Sequence, residues 1–122
     1  MRYYLIILFS FLFLNLFGQD MILDGLKKNQ TSTLISNLSQ SVEISINGKQ
    51  KNYSQNQAET LLKDFFKENS ISSFKISHQG KSKSGTHFIM GSYSNSGSTI
   101  KMTIKYLLLK TAEIQSISIS KP

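Results

Sequence analysis

The chain has 122 residues, a formal net charge of +7 and no cysteine. Without cysteine, disulfides, thiolate catalysis and cysteine-ligated metal sites are excluded. Its basic residues are 13 lysines and Arg2, and this shortage of arginine argues against a dedicated nucleic-acid binder, which uses arginine forks on phosphates and base edges.

The N-terminus has the pattern of a secretory signal peptide. Arg2 gives a basic start, and residues 3–17 are almost continuously apolar. As a helix this run is about 22 Å long, short of the ~30 Å hydrocarbon core of a membrane. It predicts a signal peptide over 1–18, cleaved after Gly18, and an exported protein, periplasmic or secreted, with no membrane contact after cleavage. Leu16 is large for a cleavage site, so an uncleaved membrane anchor is the alternative.

Residues 19–122 are predicted to form a single domain. These 104 residues carry a net charge of +6 and no arginine, and they are enough for one hydrophobic core. In an exported protein the lysine excess favours attraction to an anionic surface, such as lipid, polysaccharide or an acidic partner. Solubility alone is the alternative explanation.

The first elements are two short helices and a hairpin. Apolar residues recur at helical spacing over 20–28, where Asp20 is a candidate cap, and over 30–39. Alternation over 41–47 then predicts a half-buried strand. Asn47-Gly48 is a strong type I′ turn pair, because both residues tolerate positive φ, and the return strand follows it.

The longest helix is predicted from Ser54 to about Glu68. Ser54 and Gln57 have the spacing of a capping box. An apolar stripe at 3.6-residue spacing follows, formed by Ala58, Leu61, Leu62, Phe65 and Phe66. The helix is therefore expected to bury one face, including both phenylalanines.

From Ser72 onward, period-two alternation predicts four antiparallel strands over 72–80, 85–94, 98–109 and 112–120. A loop over 81–84 would pair His78 with His87. A turn at Ser96-Gly97 would pair Tyr93 with Ile100, and a loop over 110–113 would pair Leu109 with Ile114.

This register sorts the side chains of the four strands onto two faces. The apolar face collects Phe74, Ile76, Ile89, Tyr93, Ile100, Met102, Ile104, Tyr106, Leu108, Ile117 and Ile119. The opposite face collects mainly lysine, serine and threonine, namely Lys75, Ser77, Ser92, Lys101, Thr103, Lys105, Ser116 and Ser118. It also receives Phe88, Met90, Leu107, Leu109 and Ile114, and such a mixed patch favours a homodimer through the sheet. Isolated exposed apolar residues are the alternative.

The order helix, helix, hairpin, long helix and four-stranded meander is an α+β layer fold. The segments VEISINGKQKNYSQNQAETLLKDFFKEN (42–69) and SFKISHQG (73–80) resemble the small exported bacterial family called domain of unknown function 4783. The resemblance implies a nuclear transport factor 2-like (cystatin-like) fold, in which a curved antiparallel sheet packs on one long and two short helices to form a cone with a pocket. It also implies homodimers and supplies no catalytic residue.

The stretch GKSKSGT, Gly80 to Thr86, has some features of a phosphate-binding loop. Gly80 and Gly85 have the right separation, but Thr86 stands where the motif requires lysine. A strand rather than a helix is predicted to follow, so no helix N-terminus is available for a phosphate. We interpret the stretch as an exposed hairpin tip.

The chain has two histidines, His78 and His87, which the predicted register places opposite each other across two strands. Two imidazoles are too few for a closed zinc site, which normally has four ligands. A packed histidine pair is therefore favoured over a metal site. Such a pair would titrate as a coupled unit, so acid is expected to loosen the hairpin.

These patterns favour a non-catalytic module that binds a small apolar ligand or a protein partner, or that dimerises through the sheet, without a cofactor or metal. The expected pocket residues are Phe65, Phe66, Phe74, His78, His87, Tyr93, Met102 and Tyr106. No carboxylate is plainly aimed at the apolar face, so no catalytic residue is assigned. The alternative function is a pocket enzyme of isomerase or dehydratase type with His78 or His87 as its acid–base.

Overall fold

The computed structural model describes residues 21–122, so the predicted signal peptide over 1–18 and the Asp20 cap lie outside the described residues. Three helices and six strands follow in chain order: α1 Met21–Lys27, α2 Thr31–Ser36, β1 Leu38–Ile46, β2 Lys49–Ser54, α3 Gln55–Glu68, β3 Lys75–Lys81, β4 His87–Asn95, β5 Ser98–Leu108 and β6 Ala112–Ser120. None of these helices has the length and hydrophobicity needed to cross a membrane. The predicted α+β class is confirmed.

One six-stranded sheet runs in the order β2-β1-β6-β5-β4-β3. The hairpin β1–β2 and the meander β3–β6 are antiparallel, as the sequence predicts, and β1 joins the meander by pairing with β6 in parallel. The parallel junction is possible because α3 and the meander lie between β1 and β6 in sequence and supply a long crossover. Strands β2 and β3 form the two edges, and both carry lysines, which protect an edge from pairing with other chains.

The predicted cap of α3 is present. The Gln57 backbone N–H donates to the Ser54 hydroxyl, and the Ser54 N–H donates to the Gln57 side chain, both at 3.3 Å. Two of the unpaired N–H groups at the helix start are thereby satisfied. The helix ends at Glu68, as predicted.

Two hairpin turns also follow the sequence. Asn47 and Gly48 have φ values of 52° and 85°, and Ser96 and Gly97 have φ values of 51° and 83°. Both turns thus place two successive residues at positive φ, which matches the right-handed twist of the flanking strands.

One hydrophobic core lies between the helices and one face of the sheet, here called the inner face. All residues that the sequence assigns to the apolar face belong to this core or pack against it. The helices add Ile22, Leu26, Leu34, Ala58, Leu62 and Phe66. The sheet surface that points away from the helices is called the outer face.

The start of β1 differs from the prediction. The helical pattern over 30–39 predicts a helix through Leu38, but α2 ends at Ser36. The Asn37 side chain donates to the Thr33 carbonyl, and its backbone N–H donates to the Leu34 carbonyl. Leu38 therefore begins β1 and pairs with Ile114.

The predicted pairing of His78 with His87 is wrong. His78 pairs with Met90, and His87 pairs with Lys81. Ser77 is an extra residue between the pairs that flank it, so β3 has a bulge there. The loop is also longer than predicted, because Gly85, at φ 92°, closes a turn by donating to the Ser82 carbonyl.

The predicted pairing of Leu109 with Ile114 is also wrong, because Ile114 pairs with Tyr106. Gln115 is skipped between Ile114 and Ser116, which forms a second bulge and changes the alternation of β6. Ile114 therefore lies in the core with 0% exposure, and its assignment to the outer face is corrected.

Candidate binding surface

The outer face is polar with an apolar centre. Across β3, β4 and β5, the register aligns Lys75 with Ser92 and Lys101. The next row along the strands aligns His78 with Met90 and Thr103. Outward positions alternate with core positions, so these six side chains share one surface.

Two grooves lie on this surface and meet at Ser92. The first has a volume of about 330 Å³ and is lined by Ser77, His78, Met90, Gly91, Ser92, Lys101, Met102 and Thr103. The second has a volume of about 440 Å³ and is lined by Ser72, Ser73, Lys75, Ser92, Tyr93, Ser94 and Thr99. We call the two together the outer groove. Its lining offers hydroxyls and ammonium groups but no carboxylate.

Local structure fixes the shape of the outer groove. The bulge at Ser77 is held because its hydroxyl donates to the Met90 carbonyl at 3.1 Å. Ser72, at the other end, donates to the Ser94 carbonyl at 3.5 Å. These bonds attach the edge strand and the segment before it to β4. Met90, which lines the first of the two grooves, remains 40% exposed.

Another groove lies at the β1–β2 hairpin, with a volume of about 350 Å³. Ile44, Ile46, Asn47, Lys49 and Tyr53 line it. Its lining includes the core residue Ile44, which is 1% exposed.

Most of the predicted pocket residues lie in the core. Phe66, Tyr93, Met102 and Tyr106 are each at most 6% exposed, and Phe65 and Phe74 pack against the core while partly buried. The structure thus brings these six side chains to the inner side of the sheet.

Tyr93 joins the end of α3 to β4. Its hydroxyl donates to the Asn69 carbonyl at 2.7 Å, while Asn69 caps α3 through its backbone N–H and side-chain bonds to the Phe65 carbonyl. The ring of Phe74 lies 6.3 Å from that of Tyr93. Burial raises the pKa of Tyr93 to about 12, because the phenolate would lose its hydration.

The two histidines lie on opposite faces of the sheet. His78 is exposed beside Met90 in the outer groove. His87 is partly buried on the inner face, where its ring stacks on Tyr106 with centroids 5.4 Å apart. The predicted histidine pair therefore does not form, and the predicted coupled titration of the two imidazoles no longer applies. Among residues 21–122, no group of three or more His, Asp or Glu side chains has an arrangement that would hold a metal ion.

Lys75, Ser77, Ser92, Lys101 and Thr103 belong to the predicted polar face, but the sequence did not assign them to a site. One feature of the sequence marks this region. No Asp or Glu occurs from Asn69 to Ala112, a span that includes β3, β4 and β5.

Comparison with protein families places this fold among known relatives. The model of the family described as "Domain of unknown function (DUF4783)" matches residues 19–120. The chain belongs to the DUF4783 family. None of the curated proteins compared with it matches.

Solved DUF4783 structures have the same fold. A DUF4783 protein from Bacteroides ovatus ATCC 8483 has 20% identity and a TM-score of 0.73, covering 84% of this chain and 94% of that chain. One from Bacteroides fragilis YCH46 has 23% identity and a TM-score of 0.72, covering 84% and 97%. An NTF2-like protein of unknown function from Cytophaga hutchinsonii ATCC 33406 has 13% identity and a TM-score of 0.54, covering 84% of each chain. The DUF4783 chain thus has the nuclear transport factor 2-like fold that its sequence predicted.

Proposed function

We propose that this DUF4783 domain is a non-catalytic binding module that holds a protein partner on the outer face of its sheet. The outer groove carries the proposal, because it combines hydroxyl and lysine side chains with Met90, which is 40% exposed. Protein interfaces have an apolar centre, in which Met is enriched, and a polar rim, and Met90 with its polar neighbours has this arrangement. The predicted homodimer through the sheet would use the same surface.

Acid–base catalysis has weaker support. The alternative enzyme would depend on His78 or His87 as its acid–base, and these lie on opposite faces of the sheet, so they do not form the predicted histidine pair. Tyr93 is a buried acid of the inner face, but its hydroxyl donates to the Asn69 carbonyl and its pKa of about 12 keeps it protonated near neutral pH. General acids and bases work best with a pKa near the operating pH.

A small apolar ligand on the inner face is a second candidate, favoured by Phe65 and Phe74. Both rings are only partly buried at the edge of the core, and Phe74 lies beside Tyr93. A ligand held there would contact aromatic surface near the end of α3.

Site-specific photo-crosslinking in the native host tests the outer-face proposal. A photoreactive phenylalanine analogue at Met90 is expected to give one discrete adduct, because this side chain lies at the centre of the proposed interface. The control is the same analogue at Leu109, which is 66% exposed and outside the outer groove. Equal adducts from both positions, or none from position 90, would contradict the proposal.

Export is tested by mass spectrometry of protein recovered from the periplasm or medium. The expected mass is that of residues 19–122, with Gln19 first, because the apolar run is too short to favour a membrane span. Native spectra of the same sample would report a retained ligand or a dimer. Protein with an intact N-terminus in the membrane fraction would contradict the expected cleavage.

A further inference from the structure

The basic charge of the described chain is concentrated in one half of the sheet. From Asn69 to Ala112 there are six lysines and no Asp or Glu, whereas the rest of residues 21–122 has seven lysines and six acidic residues. The first segment has a net charge of +6, and the remainder +1. A surface whose charge serves only solubility is expected to mix the two signs. This separation points instead to a partner of negative charge.

The lysines of the outer groove are spaced and unpaired. Lys75 and Lys101 stand on either side of Ser92 on neighbouring strands, so their Cα atoms are roughly 10 Å apart. Lys105 follows Lys101 on the same face of β5, roughly 13 Å further on. Within residues 21–122 none of these three ammonium groups is in an ion pair, and Lys75 and Lys101 are both exposed.

An apolar contact lies between these charges. Met90 occupies the row between Lys75–Lys101 and Lys105, and its flexible thioether side chain adapts to different partners. The half-buried Phe88 follows it on the same face. Ser92 and Thr103 line the same groove with hydroxyls that can bond to peptide groups, and the Ser77 hydroxyl, which donates to the Met90 carbonyl, can still accept from a peptide N–H.

Resting on the proposed function, we infer that the outer groove binds an acidic segment of another protein, with an apolar side chain on Met90 and carboxylates on Lys75 and Lys101. An extended peptide advances about 3.3 Å per residue, so carboxylates three or four residues apart span the lysine spacings. A bare anion would leave Met90 without a contact. A second copy of this chain offers only Glu43 and Glu113 on the corresponding face of its strands.

Fluorescence anisotropy with a labelled synthetic peptide tests this inference on the protein lacking residues 1–18. The probe has glutamates on both sides of a central leucine, and its controls replace glutamate by glutamine or leucine by serine. The charge reversal Lys75→Glu with Lys101→Glu is expected to weaken binding of the probe roughly tenfold or more. The matched control, Lys27→Glu with Lys121→Glu, changes the net charge equally but leaves the outer groove intact, and less than a twofold loss is expected.

The apolar contact has its own test. Met90→Ser is expected to weaken binding of the leucine probe several-fold and to leave binding of the serine probe unchanged, because only the leucine probe contacts the side chain of Met90. Equal losses in the two charge-reversal variants would overturn the inference by assigning binding to net charge alone.

Three further outcomes would also overturn it. The first is that heparin or anionic vesicles bind through the lysines while the peptide does not bind. The second is that the probe does not bind even at low salt. The third is that the protein sediments as a dimer and that the groove variants dissociate this dimer. If Met90 still crosslinks to a host protein when the acidic probe fails, the inference alone is wrong. If neither the crosslink at Met90 nor binding of the probe is observed, the proposed function is contradicted as well.

Discussion

Gly91→Ala is expected to destabilise the fold by about 1–3 kcal/mol, the usual cost of adding atoms to a packed site. Gly91 lies on the inner face of β4, opposite Ile76. A Cβ atom at this position would lie 2.5 Å from the Lys75 carbonyl oxygen and 2.6 Å from the Phe74 ring. The oxygen belongs to the backbone of β3, so relief of the clash requires the edge strand to move away from β4. Urea unfolding of the two proteins measures the difference in free energy.

Gly80→Ala is the matched control for this variant. Gly80 is also a strand glycine beside an aromatic ring, but a Cβ there would meet only the Phe88 side chain, at 3.0 Å. A side chain on the outer face is free to shift by a few tenths of an ångström, so the expected loss is below about 1 kcal/mol. If both variants lost the same stability, or if Gly91→Ala were as stable as the wild type, the backbone contact would have no energetic role.

The effect of Gly91→Ala on the outer groove follows from the same geometry. Lys75, Ser77 and His78 are carried by β3, so displacement of that strand changes their positions relative to Met90 and Lys101. Gly91→Ala is therefore unsuitable as a variant in the binding tests. A loss of binding in this variant could come from a changed groove shape rather than from a changed charge.

Some elements of this fold could be predicted because a single short sequence motif determines their structure. The turn at Asn47-Gly48 needs two residues at positive φ, and the start of α3 needs a capping hydroxyl, which Ser54 supplies. The core followed from alternation, because inward positions on paired strands must be apolar. These requirements can be read without knowing the rest of the molecule.

Register could not be predicted where a bulge adds one residue to a strand. Ser77 and Gln115 are polar residues next to other polar residues, so nothing in the alternation marks either as the extra one. Each bulge reverses the side-chain direction that simple alternation predicts beyond it. Ile114 consequently moved into the core, and His78 moved to the face opposite His87.

The candidate site was missed for the same reason. The sequence placed Lys101 and Met90 on the outer face correctly, but the groove between them needs β3 in its bulged position, with Ser77 and His78 as its wall. The pocket predicted from the sequence consists mainly of inward side chains, yet four of these, Phe66, Tyr93, Met102 and Tyr106, are at most 6% exposed and form part of the core. The feature of the sequence that indicates this site is the span from Asn69 to Ala112, which has lysine and hydroxyl side chains but no Asp or Glu.

Tyr93→Phe is the second substitution with a large expected effect. The buried Tyr93 hydroxyl donates to the Asn69 carbonyl at 2.7 Å, and Asn69 is only 4% exposed. Phenylalanine would keep the ring in place but leave that carbonyl without its donor, which costs about 1–3 kcal/mol. Tyr53→Phe is the control, because Tyr53 is only partly buried and its hydroxyl has no hydrogen bond within residues 21–122. A Tyr93→Phe variant as stable as the control would show that the bond contributes nothing.

The contribution of Tyr93 to the free energy of unfolding should also disappear at alkaline pH. Burial raises the pKa of Tyr93 from 10.0 to about 12 in the folded protein. Below pH 10 both folded and unfolded states keep the proton, so the stabilisation is fully present. As the pH rises from 10 to 12, the unfolded state ionises first, and the free energy of unfolding falls by about 1.4 kcal/mol per pH unit from this group. Phenylalanine cannot ionise, so the stability difference between wild type and Tyr93→Phe should shrink over this range, while lysine titration affects both proteins alike. A difference that stayed constant from pH 9 to about pH 11.5 in urea unfolding would contradict the raised pKa.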